Sequence, residues 1–223
     1  LKKVYANNYG ENFQSIADTM AVVRQQMSGI SDTDMQTLTE AAFAFEDISG
    51  YSPEESLRAA NSLMNQFGVT AEEAYNLMVQ GQQQGLDFSG ELLDSINEYA
   101  PQFEKMGFSA EDMFNIFKSG AESGAFNLDK IGDAVKENAI RVIDLSESTT
   151  NAFTALGLDA SQMASEFGAG GETAEKAFQK VMVGLQSIED PVKRNQIGTA
   201  LWGTMWEDLG ETVILSSADM TDS

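Results

Sequence analysis

The sequence predicts an all-α fold, a multi-helix bundle of short amphipathic helices, on three observations. Apolar residues recur at steps of three and four along almost the whole chain, which is the period of one helix face. Capping residues and glycines interrupt that pattern at short intervals, which divides it into short helices instead of one rod. Strand signals are poor: the best β-like run is Val213-Ile214-Leu215-Ser216-Ser217, short enough to be a helix end. The short connections predict roughly nine to eleven helices packed as antiparallel pairs.

Taken in order, residues 11–30 carry Phe13, Ile16, Met20, Val23, Met27 and Ile30 on one face. Ser31 with Asp34 resembles a capping box and opens the next stripe, Met35, Leu38, Ala42, Phe45 and Ile48, which Gly50 ends. Ser52-Pro53-Glu54-Glu55 is a fuller start signal, with a cap, a proline at the first helical position and a glutamate at the third. Leu57, Ala60, Leu63, Met64 and Phe67 follow, and Gly68 stops that helix. Thr70-Ala71-Glu72-Glu73 and Ser109-Ala110-Glu111-Asp112 restart the pattern, and Gly120 and Gly124 are read as ending the helix that begins at Ser109. Pro101 is expected to end or kink the helix running from about Glu91. Pro53 and Pro191 sit at helix starts, after Ser52 and Asp190.

The chain repeats itself. Residues 68–103 slide onto 107–142 without a gap, matching Gly68, Ala71, Glu72, Asn76, Gly81, Gly85, Asp94, Glu98 and Ala100 to identical residues. Tyr75 meets Phe114, Leu92 meets Ile131 and Ile96 meets Val135. A period of roughly forty residues is that of a helix-pair unit, which cannot bury its own apolar stripe without neighbours. A degraded copy starts at Gly157, with Asp159 in the cap position, and an upstream relative starts at Gly50. The expected organisation is an N-terminal helix over 1–30 that continues from upstream sequence, a helical core over 31–210 with repeats near 68–106 and 107–145, and a C-terminal tail over 211–223. The chain begins at Leu1 and not Met, which reads as a fragment or a processed product.

Composition narrows the function classes. Among 223 residues, 35 are acidic and 13 basic, a formal net charge of −22. Such a field disfavours phosphate-backbone binding and anionic membrane surfaces and favours a partner with a basic patch. With no Cys and no His, disulfides, zinc sites, thiol nucleophiles and imidazole bases are absent from this stretch. No apolar run approaches the roughly 18 residues of a membrane span, and no signal peptide is visible.

The candidate chemistry resolves into structure. Glu72/Glu73 and Glu111/Asp112 are paired acids, but neighbours on a helix point about 100° apart and sit where the helix dipole favours acids. Asp32 and Asp34 alternate as in a calcium loop, yet Thr37 replaces the required glycine and Phe43 the bidentate glutamate. The glycines of residues 167–171 precede a helix without the Lys-Ser/Thr pair of a phosphate loop. No catalytic residue, cofactor or metal ligand is assigned, and the sequence reads as non-enzymatic. Trp202, Met205, Trp206 and Leu209 share a helical face, read either as core or as a protein-contact anchor.

The phrases GVTAEEAYNLM (68–78) and GFSAEDMFNIFKSGAESG (107–124) resemble those of the phage tail tape measure family, in its helical core region. SGYSPEESLRAANSLMNQFG (49–68) is similar to the phrase that precedes them there. DPVKRNQIGTALWGTMWEDLG (190–210) resembles that region's closing Asp-x-x-x-Arg, glycine–aromatic block and Leu-Gly. The resemblance covers roughly 30–210 and transfers no catalytic residue. It implies a virion protein of a phage or prophage tail that sets tail length during assembly and takes part in genome ejection. Implied partners are the tail tube protein, tail assembly chaperones and tail-tip proteins, with self-association possible in principle and no direct nucleic-acid binding. The implied location is the lumen of the tail tube, and the host cytoplasm during assembly. The competing readings are an acidic helical scaffold or adaptor for a basic protein partner, and an enzyme fragment using carboxylates.

Overall fold

The computed structural model describes residues 2–27 and 29–220. Among them it contains fourteen α-helices and one 3-10 turn, and no strand. The all-α class is therefore as the periodicity predicts, and the helix count is higher. The excess lies in helices too short to show a period: Lys2–Ala6, Met205–Leu209 and Glu211–Ser216 have five or six residues each. The last of these holds Val213 to Ser216 of the β-like run, and Ser217 opens the 3-10 turn.

The chain divides into two compact units, Leu1–Gly85 and Leu86–Ser223. The first holds α1 (Lys2–Ala6), α2 (Phe13–Gln26), α3 (Asp32–Ser49), α4 (Pro53–Phe67) and α5 (Ala71–Gln83). Each long helix begins where a side chain can satisfy an orphan backbone N–H. The Asn12 side chain accepts from the backbone of Gln14 and Ser15, so α2 begins at Phe13. Ser31, Ser52 and Thr70 accept from Asp34, Glu55 and Glu73 in the same way. Gly50 and Gly68 close α3 and α4 in the left-handed region. Helix α3 packs against α2, α4 and α5, burying Leu38, Phe45, Leu57, Leu63 and Met78. The Tyr75 hydroxyl sits 3.2 Å from Ser56 Oγ, which satisfies both inside this core.

The second unit holds α6 (Leu92–Lys105), α7 (Ala110–Glu122), α8 (Leu128–Arg141), α9 (Glu147–Ala155), α10 (Ala160–Ala169), α11 (Gly171–Gln186), α12 (Pro191–Trp202), α13 (Met205–Leu209), α14 (Glu211–Ser216) and the 3-10 turn Ser217–Met220. Two expectations are corrected here, at Pro101 and at Gly120. Helix α6 continues through Pro101 to Lys105, because Tyr99, Ala100 and Phe103 on either side are buried and hold the last turn in place. Gly120 does not end α7 but lies within it, where a Cβ would come within 2.6 Å of Ile131. The equivalent repeat helices α6 and α8, which are separated in sequence by α7, pack in the same direction. Their starts meet at Glu91 and Asn127, their middles at Tyr99 and Asp133, and Glu98 meets Lys136 further on. The reason is topological: α7 lies between them in sequence, so duplicated hairpins bring like helices together in like orientation.

That parallel pair is locked by Tyr99. Its ring lies on Gly132, where a Cβ would be 2.2 Å away. Its hydroxyl is 2.7 Å from Asp129 Oδ1 and 3.1 Å from Asp133 Oδ1. Burial first, then the hydrogen bond to Asp129 and the negative charges of both aspartates, hold the phenol above its ordinary pKa. Burial does the same to Tyr75 in the first unit. A raised phenol pKa contributes stability that is intact below the unfolded value of about 10 and declines above it, by about 1.4 kcal/mol per pH unit per group. Both tryptophans lie in the second unit, so their fluorescence reports its unfolding. Urea denaturation of the whole chain followed by that fluorescence is expected to show stability falling above about pH 10. Tyr99→Phe should be less stable at neutral pH and show a shallower alkaline decline.

A run of aromatic contacts crosses the second unit's interior. Phe117, Phe103, Phe108, Phe178, Trp202 and Trp206 touch in that order, with ring centroids 5.4, 5.9, 5.1, 6.4 and 5.9 Å apart. All of these side chains are buried, and edge and tilted arrangements of this kind add to their burial.

Candidate functional site

The residues expected to share one helical face are divided between two helices. Trp202 ends α12, Gly203 turns the chain with φ 59°, and Met205, Trp206 and Leu209 belong to α13. The short helix folds back so that Trp206 covers Gly198, where a Cβ would be 2.1 Å from the indole. Trp206 Nε1 donates to Asn195 Oδ1 at 3.0 Å. Trp202 and Trp206 are 2% and 3% exposed, so both indoles face the interior, and Met205 and Leu209 are partly buried. Trp202 and Leu209 also line a cavity of about 20 Å³ with Asn138, room for about one water molecule. Asn138 Nδ2 donates to the Leu201 carbonyl at 2.9 Å, satisfying an acceptor near the end of α12.

One acid of each pair completes a capping box, Glu73 with Thr70 and Asp112 with Ser109. Thr70 N–H and Oγ1 donate to Glu73 Oε2 at 2.7 and 2.9 Å. Ser109 N–H and Oγ donate to Asp112 Oδ2 at 2.8 and 2.6 Å. The backbone N–H of Thr70, then its hydroxyl, hold the Glu73 carboxyl below the usual carboxylate range. The hydroxyl of Ser52, then its N–H, do the same for Glu55. A depressed carboxyl is a poor general acid, and these groups contribute stability above the unfolded carboxyl pKa that is lost as pH falls through the folded one.

Asp34 Oδ2 accepts from Ser31 Oγ at 2.6 Å, and no group of three or more acids among the described residues is placed to hold a metal ion. The glycine run serves packing: Gly170 and Gly171 both have positive φ, and the Gly171 carbonyl lies against Gly107. An acidic cleft of about 650 Å³ in the first unit carries Glu11, Asp18, Glu46 and Asp47. Glu46 is raised above its ordinary pKa there, by burial first and then by Asp47 and Glu11. No helix among the described residues is long and apolar enough to cross a membrane.

Two features were not read from the sequence. One is the Tyr99–Asp129–Asp133 lock, whose members are thirty residues apart and become neighbours only through helix packing. The other is the exposure of Phe88 and Phe126, at 50% and 85%. The available signal for Phe126 was a lone aromatic in the small and polar run SGAFNLD (123–129).

Capped short helices, a continuous aromatic core and carboxylates committed to caps define a structural helical module. The chain belongs to the family of phage-related minor tail proteins, whose model matches residues 3–203. It is 33% identical over 144 residues, 65% of the chain, to a probable tape measure protein of Streptomyces phage phiC31. It is 29% identical over 215 residues, 95% of the chain, to the uncharacterized protein YqbO of Bacillus subtilis strain 168. The matches span 20% and 14% of those two proteins. No solved structure matches the chain.

Proposed function

We propose that this chain is a segment of a tail tape measure protein, which sets tail length during assembly and takes part in genome ejection. The observation that carries this reading is the 33% identity over 144 residues to the probable tape measure protein of phage phiC31. In this reading the segment acts through its length and its contacts, without catalysis. It occupies the lumen of the tail tube after assembly in the host cytoplasm. Its partners are the tube protein, the tail assembly chaperones and the tail-tip proteins, and Met205 and Leu209 are the part of the expected contact face that remains at the surface.

The fold bears on how such a segment measures. Its longest helix has 18 residues, about 27 Å at 1.5 Å per residue. Left-handed glycines follow α3 and α4 directly, so a straight rod requires these joints to change conformation. The test is tail length in a phage whose parental gene has lost the segment in frame: the tails should be shorter.

A further inference from the structure

The two repeat copies each place an exposed phenylalanine in the turn after their first helix. Phe88 is 50% and Phe126 85% exposed. The turns are adjacent, because α6 and α8 run parallel with their starts together and Asn127 Nδ2 reaches Glu91 Oε1 at 3.5 Å. In sequence the two turns are flanked by Glu91, Asp94 and Glu122, which make no ion pair among the described residues, and by Lys118 and Lys130, of which Lys130 is paired with Asp208. No Lys or Arg occurs between residues 59 and 104. Acids near a helix start are explained by the dipole. The rings are not: an 85% exposed phenylalanine contributes little to the core and leaves apolar area in water.

We propose that Phe88 and Phe126 form a docking face for an arginine-bearing segment of a partner protein. A guanidinium is flat and weakly hydrated, so it can lie on a phenyl face while its N–H groups donate to neighbouring carboxylates. The surplus of 35 acidic over 13 basic residues supplies long-range attraction for a basic segment, and the rings supply the local selection. This inference stands on the exposed rings and their charge environment and does not depend on the tape measure reading.

The test uses the whole chain, isotopically labelled, titrated with tetra-arginine amide at physiological salt. Amide shifts should concentrate in residues 86–91 and 122–128, and tetra-arginine should bind more tightly than tetra-lysine or spermidine. The double variant Phe88→Ala/Phe126→Ala, at two residues outside the buried core, should keep the parental fold by circular dichroism and bind tetra-arginine about tenfold more weakly. The proposal is overturned by equal affinity in the double variant, or by shifts spread over other acidic helix starts such as Glu54 and Glu72. No preference for arginine over spermidine, or no binding, overturns it as well.

Discussion

Replacing Gly107 with alanine is expected to destabilise the second unit by about 3 kcal/mol or more, while the same change at its repeat twin Gly68 costs the first unit about 1 kcal/mol. Both residues have positive φ, 88° and 71°, so both changes carry the strain of placing an L-residue in the left-handed region. The difference lies in the neighbours. A Cβ on Gly107 would lie 2.1 Å from the Gly171 carbonyl oxygen and 2.9 Å from the Glu175 backbone nitrogen. Those are backbone atoms in the first turn of α11, which cannot swing aside as a side chain can. Nothing lies within 4 Å of a Cβ on Gly68. Urea denaturation followed by tryptophan fluorescence reads the Gly107→Ala loss directly. Amide exchange in α4 and α5 reads Gly68→Ala. Equal small effects at both positions would mean that the α11 start does not pack on Gly107.

Trp206→Ala is expected to cost the second unit about 3–5 kcal/mol, the usual range for truncating a buried large aromatic. The indole closes three contacts at once: the ring on Gly198, the centroid 5.9 Å from Trp202 and the Nε1 hydrogen bond to Asn195. Removing it leaves an empty volume between α12 and α13 and an amide oxygen without its donor. The remaining Trp202 still reports unfolding. Met205→Ala should cost less, about 1 kcal/mol, because its side chain is only partly buried and has less apolar area to lose than the indole. The pair separates two roles for this stretch. Lost partner binding in Trp206→Ala would reflect an opened core, whereas lost binding in Met205→Ala with an unchanged denaturation midpoint would mark a contact residue.

The local features were legible because their physics is local. A cap joins a residue to the backbone three positions on, so Ser52, Thr70, Ser109, Asp159 and Asp190 could be assigned from spacing, and each side chain accepts such a bond. Matched positions of the two copies share their burial: Tyr75 and Phe114 are both buried, as are Ile96 and Val135. What failed depended on packing. Gly120 reads as a helix stop in isolation, and only the approach of Ile131 explains a glycine inside α7. Pro101 reads as an end or a kink, and the helix does not end there, since buried neighbours hold it through the proline. The single helical face drawn through Trp202 and Trp206 assumed one helix where Gly203 makes two. The exposed pair Phe88 and Phe126 carries no periodic signal, since both lie in turns.

The tape measure reading is tested most directly by tail length. Drawn out as continuous helix, 223 residues would span roughly 330 Å at 1.5 Å per residue. Kept as two compact units, of 85 and 138 residues, the segment would span at most roughly 70 Å, the sum of diameters near 30 and 37 Å. Electron micrographs of phages carrying an in-frame deletion or a tandem duplication of the segment should show tails shortened and lengthened by the same amount. A change near the larger value means an extended state in the tube, and one near the smaller value a folded state. Assembled tails of parental length in both phages would contradict the account.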